Sequence, residues 1–523
     1  MSASAERRGP PLHPDAVRAV ETPHRVLLIA LTMVATIMTI LDTTIANVAL
    51  PHMEASLGAT QETIVWVLTS YVLASAVALP ISGWIVDRFG LRAVFLCSVL
   101  GFTVASVMCG MSQNLTQIVL FRAIQGIAGA FIAPLGQTLM MNVSSRDERP
   151  RMMVIYSQVV MIGPIVGPVL GGYLTENWNW RLVFLVNVPI GALCMIGLFA
   201  VTPHFERHKR DFDLQGWVYV ALAMAAFQLM LDRGPSKDWF GSSEIVIYAV
   251  LCASCAWLAV IHHITARRPL FSAELFSDRY LVTALFLYMV VSMVAISVLA
   301  LLPGLFQSLW GFPVILSGWL LASRGVGVLG AIALFGRWSA RVDPRIQLST
   351  GFSVSGLSFL LMSRWPTDTT IAQIVSASFL QGVGLSFTFI PLNLIAFATL
   401  PVRLRTDGAG LMNIFRNLGS SMGIGLATLM VARSIQVNHA EIGATITRLS
   451  APADLDRVAA FGNIGPAALS AVDGMVNLQA AMIAYNNVFL AMGLACFAII
   501  PLPFLLKKVD ARGGVASEAA SAH

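Results

Sequence analysis

The chain has 523 residues, of which 57% are apolar and 11% charged, with a net charge of +6. A soluble domain carries roughly 25% charged residues, so these charges are too few to clothe a soluble core, and a mean hydropathy of +0.76 points to a bilayer. The basic residues sit in short clusters between apolar runs, with no basic domain to grip phosphates, which argues against a nucleic-acid partner.

Residues 1–25 include Arg7, Arg8, Asp15, Arg18, Glu21 and Arg25 and lack an apolar signal-peptide core, so they read as a disordered cytoplasmic tail. A span needs about 20 mainly apolar residues. On that measure spans are expected at 26–50, 62–84, 93–112, 115–141, 152–174 and 181–202, then 212–231 and 244–264. Six more follow at 281–306, 314–336, 346–364, 369–392, 408–433 and 479–506, giving fourteen. All six cysteines fall inside apolar stretches, so neither a disulfide scaffold nor a metal site is expected.

An even span count puts both termini on one side. Of the 33 Lys and Arg residues, 23 fall on the side of the termini and 7 on the other, so the positive-inside rule places both termini in the cytoplasm. The chain divides into the tail 1–25, a six-helix bundle 26–202, a linker 203–280 with two inserted helices, a six-helix bundle 281–506 and a tail 507–523. A long external loop is expected at 434–478, with a capped short helix suggested around Ser450.

The two bundles echo each other. Gly83/Gly336, Arg88/Arg341 and Arg92/Arg345 are each 253 residues apart, and Gln125-Gly126 and Gln381-Gly382 are 256 apart. Pro134 and Pro391 follow at 257, and Gly163 and Gly167 match Gly419 and Gly423 at 256. Ordered matches at nearly constant offset indicate a duplication of six spans, with the spans at 212–231 and 244–264 as an insert.

Several segments then carry a family likeness. Leu41-Asp42-Thr-Thr-Ile-Ala-Asn47-Val-Ala-Leu-Pro51 resembles the first-helix signature of the fourteen-helix drug:proton antiporters of the major facilitator superfamily. Gly83–Arg92 resembles the superfamily loop motif, Arg122-Ala-Ile-Gln125-Gly126 the fourth-helix motif, and Gly163–Gly172 the antiporter motif of the fifth helix. The segment Leu231–Phe240 is similar to the corresponding stretch of EmrB-type pumps. The resemblance implies an all-α membrane protein of the major facilitator fold: two six-helix bundles plus two extra central helices. It also implies a multi-pass transporter of a bacterial inner membrane that exports hydrophobic small molecules by alternating access. Protons supply the drive and no cofactor is needed. Partners are then the lipid bilayer, a periplasmic membrane-fusion adaptor and an outer-membrane channel.

Read as chemistry, Asp42 is the only carboxylate well inside a span of the first bundle. Holding it charged costs roughly 2.5–3.5 kcal/mol on insertion scales, which suits either a proton-carrying group or a helix-packing Asp bonded to Thr43 or Thr44. Arg122 is a permanent cation; it either tunes proton release from a nearby acid or caps carbonyls and Gln125. Gly163, Pro164, Gly167, Pro168, Gly171 and Gly172 make a bent, closely packed helix, which suits a hinge or seal between the bundles. In the loop motif, Gly83, Asp87, Arg88, Gly90 and Arg92 are expected to form a conformational latch, degenerate in the second copy, where Ala340 and Asp343 replace Asp87 and Gly90. A substrate cavity lined by Asn47, Trp66, Tyr71, Gln125, Tyr288, Phe306, Arg324, Asn413, Arg416 and Asn417 is expected, although each polar residue alone also serves as helix glue. The histidines lack matching carboxylates, which argues against a membrane enzyme. The second transport reading is export of one physiological compound, such as a siderophore, fatty acid or polyamine.

Overall fold

The computed structural model describes residues 23–145, 148–203, 205, 211–267, 269–339, 342–397, 399–445, 466–505, 509–510 and 514–515. A long helix covers each expected span. We number them α1 (Arg25–Leu57), α2 (Trp66–Phe89), α3 (Leu91–Gly110), α4 (Leu115–Asn142), α5 (Arg149–Asn177), α6 (Leu182–Val201) and α7 (Leu214–Arg233). The remainder are α8 (Ser243–Thr265), α9 (Arg279–Leu309), α10 (Val314–Ser339), α11 (Pro344–Met362), α12 (Ile371–Phe397), α13 (Arg405–Thr445) and α14 (Pro466–Ile499). Among the described residues, eleven helices are long and apolar enough to cross a membrane. Among the described residues the fold is all-α apart from a two-residue strand pair in the C-terminal tail, Val509–Asp510 with Gly514–Val515.

Short polar residues set the helix starts. Asn114 accepts from the Gln117 amide before α4, Asp213 from Gly216 before α7, and Asp278 from Tyr280 and Leu281 before α9. Gly58, at φ 60°, closes α1 in the left-handed conformation.

The six-span repeat is legible in the packing. In the first bundle α1 packs on α5, α4 on both α2 and α3, and α6 on α3; in the second α9 packs on α13, α12 on α10 and α11, and α14 on α11. The closest crossings repeat as well. A Cβ at Gly126 would stand 2.3 Å from the Tyr71 carbonyl oxygen, and one at Gly382 would stand 1.9 Å from that of Arg324. Those glycines are 256 residues apart and their partners 253, so one backbone-on-backbone contact occurs twice. The crossing of Gly163 on Ile40 recurs as Gly419 on Met289.

The two halves touch through α5 with α10 and α12, α4 with α13, and α2 with α13. The insert helix α7 lies against both α2 and α13, whereas α8 packs on α7 and exposes Val250, Trp257 and Ile264. The expected loop at 434–478 is helical at both ends: α13 continues to Thr445, and α14 starts at Pro466. Forty-one residues at 1.5 Å each exceed a hydrocarbon core of about 30 Å, so α13 projects well beyond it. His439 and Asp473, 3.0 Å apart, tie this projecting part to α14. Charged, exposed residues suit a solvated helix as well as a loop, and here they extend both helices. Tail residues 1–22 and the segment around Ser450 lie outside the described residues.

Candidate functional site

Five helices of the first bundle converge on Asp42. Arg122 on α4 donates through Nη1 to Asp42 Oδ2 at 2.5 Å, and both side chains are inaccessible to solvent. Gln125, one turn along α4, donates to Asp42 Oδ1 at 2.9 Å, and Asn187 of α6 donates to the same oxygen at 2.8 Å. Both amides also donate to Ser106 Oγ on α3, which in turn donates to the Phe184 carbonyl. The carboxylate is therefore held by one cation and two neutral donors.

Arg122 is equally constrained. Its Nη1 also reaches Gln125 Oε1 at 2.8 Å, and its Nε reaches the Val67 carbonyl of α2 at 3.1 Å. The guanidinium lies over the Tyr71 ring at 4.4 Å and near the Phe184 ring at 5.5 Å. Its Nη2 is buried without a hydrogen-bond partner. Removing one member of a buried pair strands the other, which costs about 3–5 kcal/mol.

The glycine-rich stretch of α5 packs directly on the part of α1 that carries Asp42. A Cβ at Gly163 would meet Ile40 at 2.4 Å, and one at Gly171 would meet Ile45 at 3.2 Å. Thr44 donates to the Gly163 carbonyl at 3.3 Å. The same helix α5 also contacts α10 and α12 of the other half.

A second polar region lies between the halves. Gln137, Tyr156, Tyr288, Phe389, Asn393, Met412, Asn413 and Arg416 line a small cavity. Gln137 of α4 donates to Asn393 Oδ1 of α12 at 3.0 Å, a direct bond between the bundles. Tyr288 stands edge-on to Phe389, with ring centres 5.4 Å apart. The guanidinium of Arg416 has no carboxylate within ion-pair distance among the described residues.

Of the residues expected at a cavity, Tyr288, Asn413 and Arg416 border this one. Tyr71 and Gln125 belong instead to the Asp42 network. Phe306 is fully buried against Trp310 within the second bundle, 5.8 Å between ring centres. Arg324 is enclosed in that bundle and donates to the Ala295 carbonyl. Trp66 faces Arg233 of the insert at 5.8 Å, Asn47 is exposed, and Asn417 is half-buried. Apolar periodicity hides these differences, since an interior aromatic reads alike whether it faces a cavity or a core.

The loop motif divides in a similar way. Gly83 lies under Asp407 of α13, so close that a Cβ there would fall 1.5 Å from Oδ1. Asp407 and Arg405 are both buried at this contact between halves. Arg92 donates to the Phe199 carbonyl at the end of α6 at 2.7 Å. Asp87 is half-buried, Arg88 exposed, and Gly90 joins α2 to α3 with φ 90°. Asp407, Asn187 and Gln137 are not picked out by the sequence. A lone amide in an apolar span is the only available signal for the last two, and Asp407 lies at a span edge, where charges are ordinary.

Residues 32–424 match the Major Facilitator Superfamily. The chain is 30% identical over 489 residues to the fatty acid resistance protein FarB of Neisseria gonorrhoeae, covering 92% of this chain and 96% of that one. It is 29% identical over 496 residues to the multidrug export protein EmrB of Escherichia coli strain K12, covering 94% and 96%. Among solved structures, the human organic anion transporter MFSD10 (TETRAN) superposes with a TM-score of 0.59 at 12% identity, covering 91% of this chain and all of that one, a likeness of fold.

Proposed function

Because the chain belongs to the major facilitator superfamily, a family of transporters and not of enzymes, we propose that it is a proton-driven exporter of hydrophobic and amphipathic compounds. In this reading it is a multi-pass inner-membrane protein with fourteen spans and both termini cytoplasmic, working by alternating access. The observation that carries the proposal is the fully buried Asp42–Arg122 pair with its two amide donors.

The cycle follows from that geometry. Ionised, Asp42 binds Arg122, Gln125 and Asn187 and draws α1, α4 and α6 together. A proton added at Oδ2 converts the acceptor of the Arg122 bond to a hydroxyl and ends the ion pair. Arg122 then rests on Gln125 Oε1, the Val67 carbonyl and the Tyr71 face. The freed α1 shifts against the α5 glycines, and α5 carries the shift to α10 and α12. One pH unit supplies about 1.4 kcal/mol per proton, and 100 mV adds about 2.3 kcal/mol per charge moved. One proton thus sustains concentration ratios of a few hundredfold.

Gly83 against Asp407 closes the cytoplasmic side, while Gly318 against Val169, 3.2 Å from a Cβ at residue 318, closes the external side. The cavity between them takes the cargo. The similarity to a multidrug export protein supports a broad range of cargo. Arg416, with no carboxylate partner among the described residues, and the similarity to a fatty acid resistance protein favour anionic amphiphiles among them, or one such compound as the physiological cargo. The helical extension of α13 and α14 offers the docking point for a periplasmic adaptor leading to an outer-membrane channel. In proteoliposomes, an imposed proton gradient should drive uptake of an amphiphilic dye into inverted vesicles, and a dye flux indifferent to that gradient would remove the proton from the reading.

A further inference from the structure

The insert carries a carboxylate outside the network around Asp42. Asp232 lies on the last turn of α7, and both of its oxygens are engaged. Thr69 of α2 donates to Oδ2 at 3.0 Å, and Gln228, one turn earlier on α7, donates to Oδ1 at 2.8 Å. Gln228 Oε1 in turn accepts from Ser421 of α13 at 2.6 Å. A continuous chain of hydrogen bonds, Thr69 to Asp232 to Gln228 to Ser421, therefore crosses from the first half to the second through the insert. The chain is largely enclosed: Thr69 is 5% and Gln228 8% exposed. Beside it, Leu231 packs on Gly425, 3.2 Å from a Cβ there.

We propose that Asp232 is a second proton-binding group of the transporter, and that its ionised form ties the insert to both halves near the external face. A carboxylate accepts at both oxygens; a carboxylic acid keeps one good acceptor and turns the other into a donor. Adding one proton forms one O–H bond, neutralises one charge and leaves either Thr69 or Gln228 without its acceptor. When Gln228 is released, its hold on Ser421 loosens, and the external ends of α2 and α13 are free to part. The charged neighbours leave this step to Asp232. On the insert, Arg233 is held by Glu244 of α8 at 2.6 Å and lies against the Trp66 ring. The charges of α2, Asp87 and Arg88, are at its opposite end. On α13, Arg416 comes more than a turn before Ser421 and Arg433 more than three turns beyond it.

The proposal rests on the proton-driven reading only for its use in transport; proton binding itself is tested separately. Infrared difference spectra between neutral and acid pH are recorded on the full chain in lipid. The Asp42→Asn variant should retain a protonated-carboxyl band that is absent from the Asp42→Asn/Asp232→Asn double variant. Identical spectra from the two variants would overturn the proposal. Thr69→Val, which keeps Asp232 but removes a donor to its ionised form, should raise the pH at which this band appears; an unmoved midpoint contradicts the role of the chain. In transport, Asp232→Asn should flatten the response to external acid and Asp232→Glu should restore it. Loss of the band test with intact proton-driven flux would defeat this inference alone, whereas loss of proton-driven flux with the band intact would defeat the Asp42 cycle alone.

Discussion

Thr44 lies directly over Gly167: a Cβ at residue 167 would meet Thr44 Oγ1 at 2.0 Å. Thr44 is two residues from Asp42, and Gly167 is the middle of the α5 glycine series, so the stretch of α1 that carries Asp42 packs on the helix that touches the other half. Gly167→Ala should force α1 and α5 apart and slow transport at least tenfold. Ligand binding at equilibrium should change little. Stopped-flow dye transport beside equilibrium binding separates the two effects.

The duplicated crossings are a matter of stability rather than mechanism. At Gly126 and Gly382 the obstacle is the backbone of Tyr71 and Arg324, which cannot rotate away. Overpacking of this kind costs about 1–3 kcal/mol. Gly126→Ala and Gly382→Ala should each lower the unfolding temperature in detergent, with similar losses for the two copies.

In the proposed cycle, Gly83 and Asp407 close the cytoplasmic side. Gly83→Ala should open it, increasing the labelling of a cysteine placed at Ser82, and Asp407→Ala in the same chain should restore protection by removing the obstructing carboxylate. Unchanged labelling in Gly83→Ala would show that this contact does not hold the face shut.

A third pair lies at the entrance to α1, where Arg25 and Ser145 hold Glu148. Hydrogen bonds from Arg25 and Ser145 depress the Glu148 carboxyl to about 2. A depressed acid adds its stability above its unfolded value near 4.5 and loses it as pH falls toward 2. Arg25→Ala should therefore leave the pH profile of stability unchanged between pH 6 and 8, a range set as roughly that of physiological titration. The difference from the parent should shrink only as acid approaches the window from 4.5 to 2, as followed by thermal unfolding across pH.

Much of the fold is written in the apolar runs. Each expected span overlaps a helix, and among the described residues eleven of these helices are long and apolar enough to cross a membrane, since about 20 apolar residues in a bilayer must satisfy their backbone internally. The constant offsets anticipated the doubled crossings at Gly126 and Gly382. Asp42 and Arg122 stood out because charge inside a span is rare, and the structure joins them. The partners Asn187, Ser106 and Asp407 were not legible, because an amide, a hydroxyl or an end-of-helix charge is common and only the tertiary fold decides its neighbour. Arg92, placed in the latch by its motif, donates to the Phe199 carbonyl of its own bundle, a partner the motif does not indicate.

The most direct test of the central claim is proton-gradient-driven dye transport by Asp42→Asn in proteoliposomes, measured beside dye binding to the same preparation. Asn still accepts from Arg122 but cannot cycle a proton, so gradient-driven flux should vanish while binding and folding persist. Flux at the level of the parent protein, still responsive to the gradient, would contradict the account.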